Sequence, residues 1–242
     1  MQKYFDYNLV DNINDINIAD NRQHAYVVNC LNPHSFVTAL DDNDFAQALR
    51  NSDYLLPDGE GICMTLRKWA GITIDKIAGD DIHRHLLSQV DSIGGKVYYM
   101  GSTEHVLALI GQRLAKEYPH ISIRTHSPSF GPELGEEESG AIIDDINSFK
   151  PDVLFVSMTA PKQEKWVEKY RDAIEHVNII ANIGAVFDFY AGTVKRAPKW
   201  VVDMKLEWLV RLIKEPRRMW RRNFVSTPRF LHWVRQHKNT II

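Results

Sequence analysis

The residues best able to do chemistry fall in four short stretches, each where an apolar run gives way to turn-forming residues. In Leu56-Pro57-Asp58-Gly59-Glu60-Gly61 a carboxylate follows an apolar run and precedes two glycines. Glycine lets backbone approach a ligand closely, so Asp58 is a candidate general base; the alternative is an Asp that caps the next helix. Tyr99-Met100-Gly101-Ser102-Thr103-Glu104 ends a strand in small residues and starts a helix at once. Gly101 and Ser102 there suit a phosphate held by free helix amides, or else a capping box with Ser102 or Thr103 as cap.

The third stretch, Ser157-Met158-Thr159-Ala160-Pro161-Lys162-Gln163-Glu164-Lys165-Trp166, puts Pro161 in a first helical turn, with Lys162 and Gln163 beside it. Such groups hold a sugar hydroxyl or a phosphate, or they simply solvate the surface. In the fourth, Asn182 to Gly192, a strand runs into glycine and then Asp188 between Phe187 and Phe189. An aspartate among aromatics meets a nucleoside or caps a helix within the core. Asp42-Asn43-Asp44 spells the DxD of metal–diphosphate sites, but it precedes a helical stretch and reads as a helix start. No GxGxxG, GxxxxGK[ST] or HExxH occurs, and the ten histidines are scattered, so no metal site and no cofactor is expected.

The elements that must position these residues follow from periodicity. Strands are expected at Ala25–Cys30, Tyr54–Leu56, Lys96–Met100, Ile121–Thr125, Val153–Ser157 and Val177–Asn182. Helical stretches alternate with them at Phe36–Asn51, Gly61–Trp69, Ile82–Val90, Glu104–Tyr118, Glu136–Phe149 and Lys162–Ala173. This alternation predicts an α/β fold with a mostly parallel sheet flanked by helices, whose ligand site lies beyond the carboxyl ends of the strands. All four stretches begin at such ends.

Charge divides the chain. Of 29 basic and 31 acidic residues, the stretch from Lys195 onward holds thirteen of the former and three of the latter. That stretch also carries Trp200, Trp208, Trp220 and Trp233, with Pro198, Pro216 and Pro228 as punctuation. Helices are expected at Met204–Lys214 and Arg217–Phe224. We therefore divide the sequence into an α/β core, 1–194, and a basic helical C-terminal appendage, 195–242, docked beside the mouth of the core. Its partner should be an anionic surface or a polyphosphate. A nucleic-acid module is disfavoured by the acidic core and the lack of a groove-reading motif, and a nicotinamide-dependent oxidoreductase by the missing glycine fingerprint. No apolar run approaches the roughly 20 residues that span a bilayer, and no signal segment is visible. Cys30 and Cys63 read as reduced thiols in a cytoplasmic protein.

Taken together, these stretches resemble the WecG/TagA/CpsF glycosyltransferases from about Ala25 to Arg222. The resemblance rests on Asn32-Pro33-His34-Ser35, Pro57–Gly61, Pro161–Trp166, Phe187–Gly192, Lys195–Pro198, Leu206–Leu209, Glu215-Pro216 and Arg221-Arg222. It implies a Rossmann-like core and an inverting, metal-independent transfer from a UDP-sugar, often UDP-N-acetylmannosamine, to an undecaprenyl-diphosphate-linked acceptor. It places the enzyme peripherally on the inner face of the cell membrane, and a homo-oligomer is compatible with it. By motif match Asp58 is the base, Asn32 and Gln163 meet the donor sugar, and Arg211, Arg218 and Arg221 reach the diphosphate. Cys30 and Lys76 stand where relatives often carry Thr and Arg. Both positions are expected to face the donor, which leaves UDP-glucose, UDP-glucuronate and UDP-N-acetylmannosaminuronate open as donors.

Overall fold

The computed structural model describes residues 3–18, 24–194, 204, 209, 212–213 and 216–237, with backbone alone at 3, 4, 217 and 218. A short antiparallel hairpin, β1 (Lys3–Tyr4) and β2 (Tyr7–Asn8), precedes the main sheet. That sheet is built from β3 (Tyr26–Leu31), β4 (Tyr54–Pro57), β5 (Lys96–Gly101), β6 (Ser122–His126), β7 (Val153–Ser157) and β8 (Ile179–Asn182). All six strands run parallel in the order β4-β3-β8-β7-β5-β6. The connection after β5 leads out to β6, whereas that after β7 leads back to β8. Between β5 and β7 the two connections therefore diverge, and a crevice opens at the strand ends.

Alternation along the strands fills both faces of the sheet. Val28, Tyr99, Phe155, Ile179 and Ala181 pack with α4 (Gly79–Ser92), α5 (Glu104–Glu117) and α8 (Val186–Ala191), through Leu86, Ile110 and Phe187 among others. Val27, Tyr98, Leu154, Val156 and Ile180 face the other way, against Ile142 and Ile146 of α6 (Glu136–Phe149) and Trp166 and Val167 of α7 (Lys162–Tyr170). A third cluster gathers the hairpin, α1 (Pro33–Asp41), α2 (Asn43–Arg50), α3 (Glu60–Thr65) and the C-terminal helix.

Each expected strand is present within a residue or two. The stretch expected as one helix, Phe36–Asn51, is two, because Asp42 leaves the helical region (φ −131°, ψ 102°) and its carboxylate caps α2 at Phe45 N (3.0 Å). Asp42-Asn43-Asp44 is accordingly a helix start, tied down by Lys165 at 2.8 Å. The hairpin was not foreseen: Phe5 and Asp6 turn it at φ 56° and 65°, and Phe5 and Tyr7 are buried against Phe36. Cys30 and Cys63 are both free thiols.

The C-terminal helix runs further than its prolines suggest. α9 (Pro216–Trp220) continues through a π-helical turn, Arg221–Ser226, into α10 (Thr227–Gln236). The wider turn lets the chain pass Pro228, whose ring would crowd the carbonyl four residues back in an α-helix. Phe230 and Val234 are fully buried against Phe36, and Arg229 grips Asp41 of α1 through two bonds of 2.5 and 2.6 Å. Most of the helix expected at Met204–Lys214 lies outside the described residues.

Candidate active site

The crevice at the strand ends is a cavity of about 650 Å³. Its walls come from the ends of β3, β4, β7 and β8, the starts of α1, α4, α5 and α7, and the 128–132 loop. The C-terminal segment adds Arg222.

Asp58 stands one residue past β4, its backbone N–H bonded to Leu31 O at 2.9 Å. Its carboxylate lies near enough to Cys30 and Cys63 to help raise both thiols, although burial is the larger cause for each. Gly59 (φ 114°), not Asp58, holds the N-cap position of α3. Beside it, Asn32 caps α1: its Oδ1 accepts from His34 N and Ser35 N, both at 3.0 Å, while Ser35 Oγ accepts from Asn32 N. The two motifs are locked together sterically. A Cβ on Gly61 would lie 2.6 Å from Pro33 Cγ, so only glycine lets α3 start this close to α1.

The opposite wall is α7. Gln163 Oε1 accepts from Met158 N (3.0 Å) and its Nε2 donates to Glu164 Oε1 (2.8 Å). Both side chains are buried. Burial pushes the Glu164 carboxyl up to about 7, against the bond from Gln163 and the charge of Arg222. At the end of β8, Asn182 Nδ2 donates to Asn29 Oδ1 (2.7 Å), and Cys30 Sγ lies 4.0 Å from Asn182 O. Burial and the charges of Asp58, Glu164 and Asp81 hold the Cys30 thiol well above its ordinary range.

Of the other expected site residues, Lys76, Ser102 and Asp188 line the cavity. Ser102 holds φ 56°, and Thr103 caps α5 at Val106 N (3.3 Å). Asp188 caps nothing; it sits inside α8, where its Oδ1 accepts from Thr193 Oγ1. Gly101 is not part of the wall. At φ 128° it packs on β7, and a Cβ there would meet Ser157 O at 2.1 Å, so its role is the close approach of two strands. Arg221 is exposed outside the cavity, and its neighbour Arg222 takes the inward position. Arg218 is described only in its backbone, on α9, and Arg211 lies outside the described residues.

Sequence reasoning did not single out Glu164, Asn182, His34 or Arg222. His34 Nδ1 bonds Ser226 Oγ at 2.8 Å, joining α1 to the π-helical turn that carries Arg222. Burial, with Arg222 and Arg221 nearby, lowers His34 to about 4. Among the described residues no group of three or more His, Cys, Asp or Glu converges to hold a metal ion.

A six-stranded parallel sheet whose strand-end cavity is lined by Asn32, Asp58, Lys76 and Gln163 defines an α/β protein built around a small-molecule site. The sequence pattern of the "Glycosyl transferase WecG/TagA/CpsF family" matches residues 6–241, and the chain belongs to this family of glycosyltransferases. Its relatives include proteins named N-acetylglucosaminyldiphosphoundecaprenol N-acetyl-beta-D-mannosaminyltransferase. That of Bacillus spizizenii is 31% identical over 90% of this chain and 82% of the relative. Its counterpart in Bacillus subtilis is 30% identical over 88% and 80%. A Staphylococcus aureus protein of the same name is 24% identical over 96% and 88%.

Proposed function

We propose that this enzyme transfers N-acetylmannosamine from UDP-N-acetylmannosamine to an N-acetylglucosaminyl-diphospho-undecaprenol acceptor, with inversion and without a metal, at the cytoplasmic face of the membrane. The observation that carries this reading is the meeting of Asp58, Asn32, Lys76 and Arg222 in one strand-end cavity, in a chain whose relatives bear that name.

Inversion requires one base, one nucleophile and a stabilised leaving group. Asp58 takes the proton of the acceptor hydroxyl as its oxygen attacks the anomeric carbon. The bond from that carbon to the β-phosphate oxygen breaks, and UDP leaves with the electron pair. Lys76 and Arg222 meet its charge, the guanidinium bidentately, together with the first-turn amides of α5. Asn32 and Gln163 orient the sugar. Arg211, Arg218 and Arg221 belong to this reading as cations of the acceptor diphosphate.

Cys30 and Lys76 both line the cavity, which keeps a second donor in view: UDP-glucose, UDP-glucuronate or UDP-N-acetylmannosaminuronate. Calorimetry of the full chain with UDP and with each UDP-sugar, in excess chelator, tests the reading. UDP-N-acetylmannosamine should bind more tightly than the other three. Binding that requires Mg²⁺ or Mn²⁺, or no binding of any uridine nucleotide, contradicts it.

A further inference from the structure

Glu164 and Asn182 line the cavity, and one buried oxygen of each, Glu164 Oε2 and Asn182 Oδ1, has no hydrogen-bond partner among the described residues. The two residues are 4% and 1% exposed, so water does not satisfy these oxygens freely, and a buried polar group left unpaired is destabilising. In each residue a chain of bonds fixes which atom is left without a partner.

For Asn182 the chain starts at a helix. Ser52 Oγ donates to Ala48 O (3.1 Å), so it must accept from Asn29 Nδ2 (2.8 Å). That turns Asn29 Oδ1 towards Asn182, which can answer only with Nδ2 (2.7 Å). A flipped amide would set oxygen against oxygen, so Oδ1 of Asn182 is left over. For Glu164 the chain starts at the Met158 N–H, which can only donate and therefore takes Gln163 Oε1. Gln163 Nε2 then points at Glu164 Oε1, and Oε2 is left over. Gln163 thus also holds the Glu164 carboxyl in place.

We propose that Glu164 and Asn182 read the sugar of the donor: Asn182 Oδ1 accepts from one hydroxyl or amide N–H of the bound sugar, and Glu164 Oε2 bonds a second polar group. The inference rests on the donor being a nucleotide sugar. With burial pushing Glu164 up to about 7, its Oε2 carries a proton in much of the population near neutrality and then acts as donor. A wall that offers one donor and one acceptor complements a 2-acetamido group, whose carbonyl accepts and whose N–H donates. A plain hydroxyl, which does both at one atom, uses only part of it.

The test separates sugar recognition from nucleotide recognition. UDP, UDP-N-acetylmannosamine and UDP-glucose are titrated calorimetrically into the full chain and into Glu164→Gln, Glu164→Leu and Asn182→Ala. UDP affinity should stay within about twofold throughout, whereas Glu164→Leu and Asn182→Ala should lose at least about tenfold for the acetamido sugar, the worth of one buried hydrogen bond. Glu164→Gln, which keeps a donor at the Oε2 position, should lose less than Glu164→Leu. If the ratio of sugar-nucleotide to UDP affinity is unchanged in Glu164→Leu and Asn182→Ala, these residues do not read the sugar. If the wild type binds no uridine nucleotide, the donor class itself is wrong. Should a variant fail to fold, the wild type alone decides: equal affinity for UDP-N-acetylmannosamine and UDP-glucose overturns the inference.

Discussion

Glu164 shows how far a side chain's chemistry depends on what closes over it. Burial holds its proton to about 7 rather than the ordinary 4.5. The folded state therefore binds a proton that the unfolded chain has released, and stability falls as pH rises from about 4.5 to 7, then levels off. Glu164→Gln removes this slope. The melting temperature of the variant should gain on wild type by several degrees across that window, and parallel profiles would show that the carboxyl is not buried in solution. The motif Pro161–Trp166 was visible in the sequence, but which of its members faces inward was not. That depends on α7 docking so that Gln163 meets Met158 N and hands its amide to Glu164. The place of Asp58 at a strand end was legible from an acid between an apolar run and two glycines, whereas its proposed part as base came from the family resemblance, because the stretch alone suits a helix cap as well. The resemblance pointed to Arg221, whereas Arg222 lines the cavity, since the π-helical turn that rotates one inward leaves no periodic signature.

At the scale of elements, the site is a contact between two helix starts. Asn32-Pro33 opens α1, Gly59-Glu60-Gly61 opens α3, and Asp58 sits between them. Gly61→Ala would drive a Cβ to 2.6 Å from the rigid Pro33 ring, so α3 must move away from α1. Overpacking of this kind costs about 1–3 kcal/mol. Differential scanning calorimetry should show a lower melting temperature, by about 2–4 °C per kcal/mol, and turnover should fall further than stability because Asp58 moves with the turn. Activity equal to wild type would mean the spacing is slack. Parallel strands were easy to read, since burial on both faces makes them continuous apolar runs such as Val153–Ser157. The β1–β2 hairpin escaped because two-residue strands carry no periodicity. The break at Asp42 was half legible: Asp42-Asn43-Asp44 read as a helix start, but apolar residues at helical spacing on both sides suggested one helix over Phe36–Asn51.

On the molecular surface, positive charge and apolar exposure coincide in the described part of the C-terminal stretch. The basic C-terminal stretch carries Trp220 and Phe224, their tilted rings 4.5 Å apart and the residues 60% and 48% exposed, with Val225 and Leu231 also outward. No helix among the described residues is long and apolar enough to cross a membrane. Exposed aromatics among arginines suit an interface with anionic lipid instead, where each basic residue is worth about 1 kcal/mol and salt screens the attraction. Sedimentation with vesicles containing phosphatidylglycerol should show binding that weakens steeply between low and physiological salt, and that is lost in a Trp220→Ser, Phe224→Ser double variant. Salt-independent binding would assign the attachment to something other than this surface. The packing of Phe230 and Val234 against Phe36 makes these point variants a cleaner probe than truncation.

The proposed role of Asp58 is to deprotonate an acceptor hydroxyl in this cavity. It is tested most directly by comparing wild type with Asp58→Asn in a transfer assay from UDP-N-acetylmannosamine to an N-acetylglucosaminyl-diphospholipid, with UDP affinity measured on the same samples. The change keeps the shape and removes the base, so turnover should fall by about 10² to 10⁴ while UDP affinity and melting temperature hold. Turnover within a few-fold of wild type would contradict the account.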